Sequence, residues 1–233
     1  MVSRTDLLPT RAFPPPTESA RALAVQLAQP GFWSDVGLTL EGWAIGLALA
    51  AALAVPIGIL VGSTRLLYRM VRALIEFLRP IPSVALIPLA VLVFGTQLPN
   101  KIFLVTFACF WPLLFQAIYG VQDVDPVAED TARAFGFNSL QRLYLVTLPS
   151  AAPYLATGLR LASSVALILA ITSELVVGVP GLGRSINVAQ SSGDYASMYA
   201  LIAVAGMLGI LLNETFRRVE RRALRWHPAQ RSA

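Results

Sequence analysis

Apolar runs of membrane-crossing length, parted by short arginine-flanked segments, leave this chain one kind of solvent in which to fold. Leu38–Gly62, Ile102–Tyr119, Leu161–Val179 and Tyr195–Phe216 each approach or exceed the about 20 residues that a helix needs to cross a hydrocarbon core. In that core the backbone finds no water, so each run must satisfy its own amide groups as a helix. Composition agrees: 56% of the 233 residues are hydrophobic and only 13% are charged, about half the charged share of a soluble domain. The reading is an all-α integral membrane protein with a single embedded domain.

A fifth run, the second in chain order, needs more argument. Ser83–Phe94 is apolar but spans only about 18 Å as a helix, short of the roughly 30 Å core, so it must borrow turns from before Pro80-Ile81-Pro82. Those preceding turns, residues 65–79, divide Arg65, Arg69, Arg72, Glu76 and Arg79 from Leu67, Met70, Val71, Leu74 and Leu78. They are either an interfacial amphipathic helix or the wet lower turns of a broken span. A broken helix survives where neighbours or a watery cavity satisfy its freed carbonyls. Pro80 and Pro82 are therefore either part of a pathway wall or a plain packed kink.

Between the third and fourth runs lies the one sizeable polar segment, residues 120–150. Asp125-Pro126 opens a helix there, the aspartate as cap and the proline with its φ preset. Gly136 closes it, and Asn138 with Gln141 reads as a second cap and capping box, giving two short helices bent at Gly136. Leu148-Pro149 is expected to end the second, since the residue before proline is pushed out of the α region.

Glu129-Asp130-Thr131-Ala132-Arg133-Ala134-Phe135-Gly136, followed by Val146, Leu148 and Pro149, resembles the EAA motif of permease subunits in bacterial ATP-binding cassette importers. Asp130 stands where that family usually has Glu, with Glu129 adjacent, and Thr131 replaces the first Ala. The resemblance extends from about Leu38 to Pro228. It implies a type I importer permease fold of about five transmembrane helices with a cytoplasmic coupling loop. Residues 33–217 would form the permease domain, 1–32 a flexible N-terminal tail and 218–233 a basic cytoplasmic tail. Coupling to a cassette ATPase would fall to Glu129, Asp130, Thr131, Ala132, Arg133, Gly136, Asn138, Leu148 and Pro149.

The same resemblance implies the partners. These are cassette ATPase subunits carrying ATP and Mg, a second permease copy in a homodimer, and an extracytoplasmic solute-binding protein; this chain itself would hold no cofactor. Glu174, the Gly181-Leu182-Gly183 turn and the ending from Val219 to Pro228 look most like the branch importing nitrate, taurine, alkyl sulfonates or pyrimidine precursors.

Charge distribution sets an orientation. Arg65, Arg69, Arg72, Arg79, Arg133, Arg142, Arg160 and the arginines from Arg217 to Arg225 fall on one side if the polar segment is cytoplasmic, leaving Lys101 and Arg184 outside. The arginine cluster at the end would anchor on anionic lipid, and Trp33, Trp43 and Trp226 fit interfacial belts. The net charge of +5 thus reflects topology and not a nucleic-acid groove. One cysteine and one histidine exclude a disulfide framework within one chain and leave almost no ligands for zinc.

Two features invite a chemical reading. Gly178-Val179-Pro180-Gly181-Leu182-Gly183-Arg184-Ser185 nearly matches a phosphate-binding loop, but Arg184 replaces the required lysine and no strand precedes it. Glu174, in the outer half of the fourth run, is either a lining group of the solute path or a structural partner, for instance of Arg184. Ser163 and Ser164 are further path candidates or ordinary helix-packing residues. A membrane enzyme would need clustered acids or histidines within the runs, and an ATP-independent channel or ion-coupled transporter would need paired intramembrane charges or inverted repeats.

Overall fold

The computed structural model describes residues 14–78 and 80–225. Arg4, Arg11, Arg79 and the segment from Trp226 through His227 and Pro228 onward lie outside the described residues. Among those described, every regular element is helical: α1 (Pro16–Leu27), α2 (Pro30–Gly62), α3 (Arg65–Leu78), a 3-10 turn (Ser83–Leu86), α4 (Ile87–Phe94) and α5 (Leu98–Gln122). They continue with α6 (Pro126–Ala134), α7 (Ser139–Arg142), a π-helical turn (Leu143–Thr147), α8 (Leu148–Val177), α9 (Leu182–Ser191) and α10 (Tyr195–Ala223).

Four helices are long and apolar enough to cross a membrane, namely α2, α5, the continuous stretch Ser139–Val177 and α10. A fifth is reached if α3 and the Ser83–Phe94 pair form one broken span, the interruption falling where the two prolines stand. This is the all-α membrane architecture expected of the sequence.

Three boundaries differ from the sequence reading. Residues 16–27, assigned to a flexible tail, form α1: Pro16 sits at the first helical position, Glu18 in the first turn, and a run of alanine and leucine follows. The span expected from Leu38 begins at Pro30, because Phe32 and Val36 are buried against Leu182, Ile186, Leu201 and Val204 despite the polar Ser34 and Asp35 between them. Leu148-Pro149 does not stop its helix. Proline has no N–H to give, and the π-helical turn just before it widens the ladder, with Leu148 N–H bonding to Leu143 O, so that the helix runs on to Val177.

Contacts divide the chain into two compact units. Among the described residues, one comprises 14–46, 83–105 and 166–212. Its core is the Phe32 cluster just described, with Leu23 of α1 packed on it, and a second cluster of Ile87, Ala90 and Leu104. The other unit comprises residues 47–78, 80–82, 106–165 and 213–225. There α2 and α5 approach closely at Gly58, where an added Cβ would lie 2.5 Å from Ala117 Cβ and 2.9 Å from Leu114 O. Small residues at such a crossing supply the van der Waals contact that joins helices when lipid removes any hydrophobic drive between them.

Gly58→Val should therefore lower stability by about 1–3 kcal/mol through overpacking. Gly206→Ala, at a helical site with no atom within 4 Å of the new Cβ, should be neutral or stabilising by up to about 1 kcal/mol. Thermal unfolding of the two variants in one detergent compares them directly.

Candidate functional site

The polar segment folds as its local chemistry requires. Asp125 Oδ1 accepts the Val127 N–H at 2.8 Å, Pro126 takes the first helical position, and α6 follows. At the other end Phe137 N–H bonds to Ala132 O at 3.0 Å and Gly136 N–H to Arg133 O at 2.9 Å, the paired closure of a Schellman motif. That closure needs a left-handed residue, and Gly136 has φ of +78°. One residue past the turn, Asn138 Oδ1 accepts the Gln141 N–H and Gln141 Oε1 accepts the Asn138 N–H, both at 2.8 Å. Two short helices thus meet at an elbow whose ends are capped by the segment itself.

An ion network fixes the angle. Glu129 Oε1 lies 2.7 Å from Arg133 Nη2 within α6 and 3.6 Å from Arg142 Nη1 on α7. Glu129 therefore joins the two helices, while Asp130 reaches Arg133 only at 3.6 Å and is 75% exposed. The sequence offered two adjacent carboxylates, and the structure gives them different work: one shapes the elbow, the other faces outward. Thr131 donates its hydroxyl to Val127 O at 2.7 Å, and Ala132 is the buried residue that seats α6.

The surface of the elbow is unlike the rest of a wet loop. Val127, Phe135, Leu140, Tyr144 and Leu145 are each more than 60% exposed, a density of apolar side chains that marks a surface made to be covered. Beside it opens a cleft of about 710 Å³ lined by Arg65, Tyr68, Gln122, Glu129, Asp130 and Arg133 among others. Leu148 and Pro149 follow directly in the chain, so the elbow is continuous with the helix that ends at Val177.

Of the residues proposed for a solute path, Pro80 and Pro82 are exposed in the interruption after α3, Ser163 is buried, and its neighbour Ser164 is exposed. Glu174 has no exposed surface and lies 2.6 Å from Lys101 Nζ. The sequence reading offered Arg184 as its partner, but Arg184 is exposed and the counter-charge comes from the first turn of α5.

Lys101, placed by sequence in an external turn, is 99% buried, with only 1% of its side chain accessible. One signal was available: it is the sole lysine among 18 basic residues, and an acid within an apolar run needs a cation near it. Thr39 completes the site, its hydroxyl donating to Glu174 Oε2 at 2.9 Å and accepting the Leu182 N–H at 3.0 Å.

Membrane-crossing helices joined by a preformed, apolar-faced elbow fit a transport permease. The chain belongs to the family described as the binding-protein-dependent transport system inner membrane component, which matches residues 54–225. It is thus an inner-membrane subunit of a binding-protein-dependent importer. It is 30% identical over 234 residues to the taurine transport system permease protein TauC of Escherichia coli (strain K12), covering 97% of this chain and 84% of that one.

Identity is 31% over 195 residues to the bicarbonate transport system permease protein CmpB of Synechococcus elongatus, covering 83% and 70% of the two chains. It is 29% over 182 residues to the nitrate import permease protein NrtB of Leptolyngbya laminosa, covering 78% and 65%. These relatives set the chain in the taurine, nitrate and bicarbonate branch of the importers. The fold matches that of the MetNI methionine ABC transporter in its inward-facing conformation, with a TM-score of 0.72 at 22% identity over 84% of this chain and 98% of that one.

Gly136→Ala should destabilise the elbow by about 1–2 kcal/mol through its left-handed φ alone, because no atom lies within 4 Å of the added Cβ. Gly136→Asn should cost less, asparagine tolerating that region. Hydrogen exchange of the Phe137 and Gln141 amides reads the difference.

Proposed function

We propose that this chain carries a small anionic or zwitterionic solute, of the size of taurine, nitrate or bicarbonate, inward across the membrane, driven by ATP hydrolysis on separate subunits. The observation that carries the reading is the elbow: preformed by its own caps, stapled by Glu129, and faced with apolar side chains that stay exposed among the described residues. Arginines flanking the spans put it in the cytoplasm, where an ATP-hydrolysing partner can grip it.

In this reading Phe135, Leu140 and Tyr144 enter a groove on the ATPase, with Asp130 and Arg133 at its polar rim. Glu129, Arg142, Gly136 and Asn138 keep the elbow's shape, and Thr131 and Ala132 let α6 seat closely. Displacement of the docked elbow passes into α8 through Leu148 and Pro149, since no break in the helix absorbs it. ATP and Mg belong to the partner, and this chain supplies no bond-making chemistry. A partner shifts the permease between openings only through unequal affinity for its conformations, and the elbow is where that inequality is felt.

Two further partners follow from the family: a binding protein that delivers the solute and a second permease copy. Four or five spans are few to enclose a path, and a two-fold pair of copies supplies the other wall. The relatives' names support small anions such as taurine, nitrate and bicarbonate over other solutes.

Phe135→Asp tests the docking role. Phe135 is 78% exposed, so the variant should fold within about 0.5 kcal/mol of the parent yet lose co-purification with its ATPase and lose ATP-driven uptake of labelled taurine, nitrate or bicarbonate. Unaltered co-purification and uptake would overturn the proposal. Ser139→Cys should react with a membrane-impermeant maleimide only from the cytoplasmic face; reaction from outside would reverse the orientation.

A further inference from the structure

Three elements of one compact unit converge on the chain's only lysine. Lys101 Nζ donates to Glu174 Oε1 at 2.6 Å, to Leu38 O at 2.9 Å and to Pro180 O at 2.9 Å. An ammonium group has three N–H bonds, and here each has its acceptor. A guanidinium would bring five donors in a plane and leave some unmatched in a dry site, a reason for lysine in a chain that otherwise uses arginine throughout. Glu174 is met as fully: Oε2 accepts the Gly183 N–H and the Thr39 hydroxyl, each at 2.9 Å.

The backbone is shaped around the pair. A Cβ on Gly42 would lie 2.2 Å from Lys101 Cδ, and one on Gly181, at φ of +148°, would lie 2.2 Å from Glu174 Oε1. Gly181, one of the glycines that mimic a phosphate-binding loop, therefore makes room for a carboxylate of the chain itself. The link it belongs to, residues 178–181, is non-helical and holds two positive-φ glycines, Gly178 and Gly181. Unrestrained, such a stretch is where a helix pair would hinge.

We propose that Lys101 is a positioning residue that, through Glu174, clamps this link to α2 and α5 and stays closed throughout the transport cycle. Parting two buried charges would leave each without a partner in a medium that cannot solvate it. Conformational change then goes around the clamp: α2 near Thr39, the first turn of α5, the link and the start of α9 move as one body. Glu174 serves the transporter by holding, not by touching solute. The role rests on the transport reading given above.

Because Lys101 is the only lysine, amine acetylation followed by peptide mapping reads the clamp directly in the permease–ATPase complex. Lys101 should stay protected about tenfold or more relative to the denatured chain, both at rest and after trapping with ATP and vanadate. Labelling that rises in either native state overturns the clamp. A second measurement separates holding from solute contact.

Glu174→Gln and Lys101→Met each strand one charge and should lower Tm, whereas the double variant removes both charges and keeps an amide oxygen for Gly183 N–H and Thr39. It should melt above either single variant, and any loss of uptake should fall on the maximal rate, with the solute concentration for half-maximal uptake within about twofold of the parent. A double variant that folds and assembles but whose half-maximal concentration rises about tenfold or more overturns the proposal, since the charges then meet the solute itself. Failure of the parent complex to show any ATP-driven uptake would count against the transport reading instead, and labelling of the resting chain would still judge the clamp.

Discussion

A polar group inside a bilayer must find its partner within the protein, and most of what this chain does follows from that constraint. The backbone meets it with helices among the described residues. Among the described residues one pair of charged side chains is buried. Lys101 and Glu174 are buried together, with all three ammonium N–H groups and both carboxylate oxygens answered, beyond their own contact by two backbone carbonyls, one backbone amide and one hydroxyl. A half-satisfied pair at that depth would be worse than an apolar packing. Completeness is what makes a buried charge tolerable here.

The elbow meets the opposite condition. It stands in water, where helices of 9 and 4 residues lie below the length at which isolated helices persist. Caps and the Glu129 network substitute for the tertiary burial it lacks, so its shape exists before a partner arrives. Preformed surfaces bind with less ordering cost, which suits the docking role proposed for the elbow. It runs on into α8 through a π-helical turn that accommodates Pro149 without ending the helix.

Small residues have separate uses along the chain. At Gly58 absence of a side chain lets two helices approach. At Gly136 it permits a left-handed turn that no crowding demands. At Gly42 and Gly181 it leaves space for the lysine stem and the carboxylate. The residue type is the same in the sequence each time, and only the surroundings tell these reasons apart.

What the sequence determined by itself was whatever depends on neighbours a few residues away. Apolar run length announced a helical membrane protein. Asp125-Pro126, Gly136 and the Asn138–Gln141 pair announced the elbow, because caps and turns bond over two to five residues and their spacing is visible in a string of letters. Relations across the chain were settled only by the tertiary structure. Glu174 meets Lys101 from 73 residues away and Thr39 from 135, and no local pattern encodes which of several distant cations will share a dry site. On paper Asp130 was the motif's acid, and only the structure brought Arg142 within reach of its neighbour Glu129. Pro149 read as a stop because its local preference is to stop; the π-helical turn before it, with Leu148 N–H bonded to Leu143 O, removes the conflict and lets the helix run on.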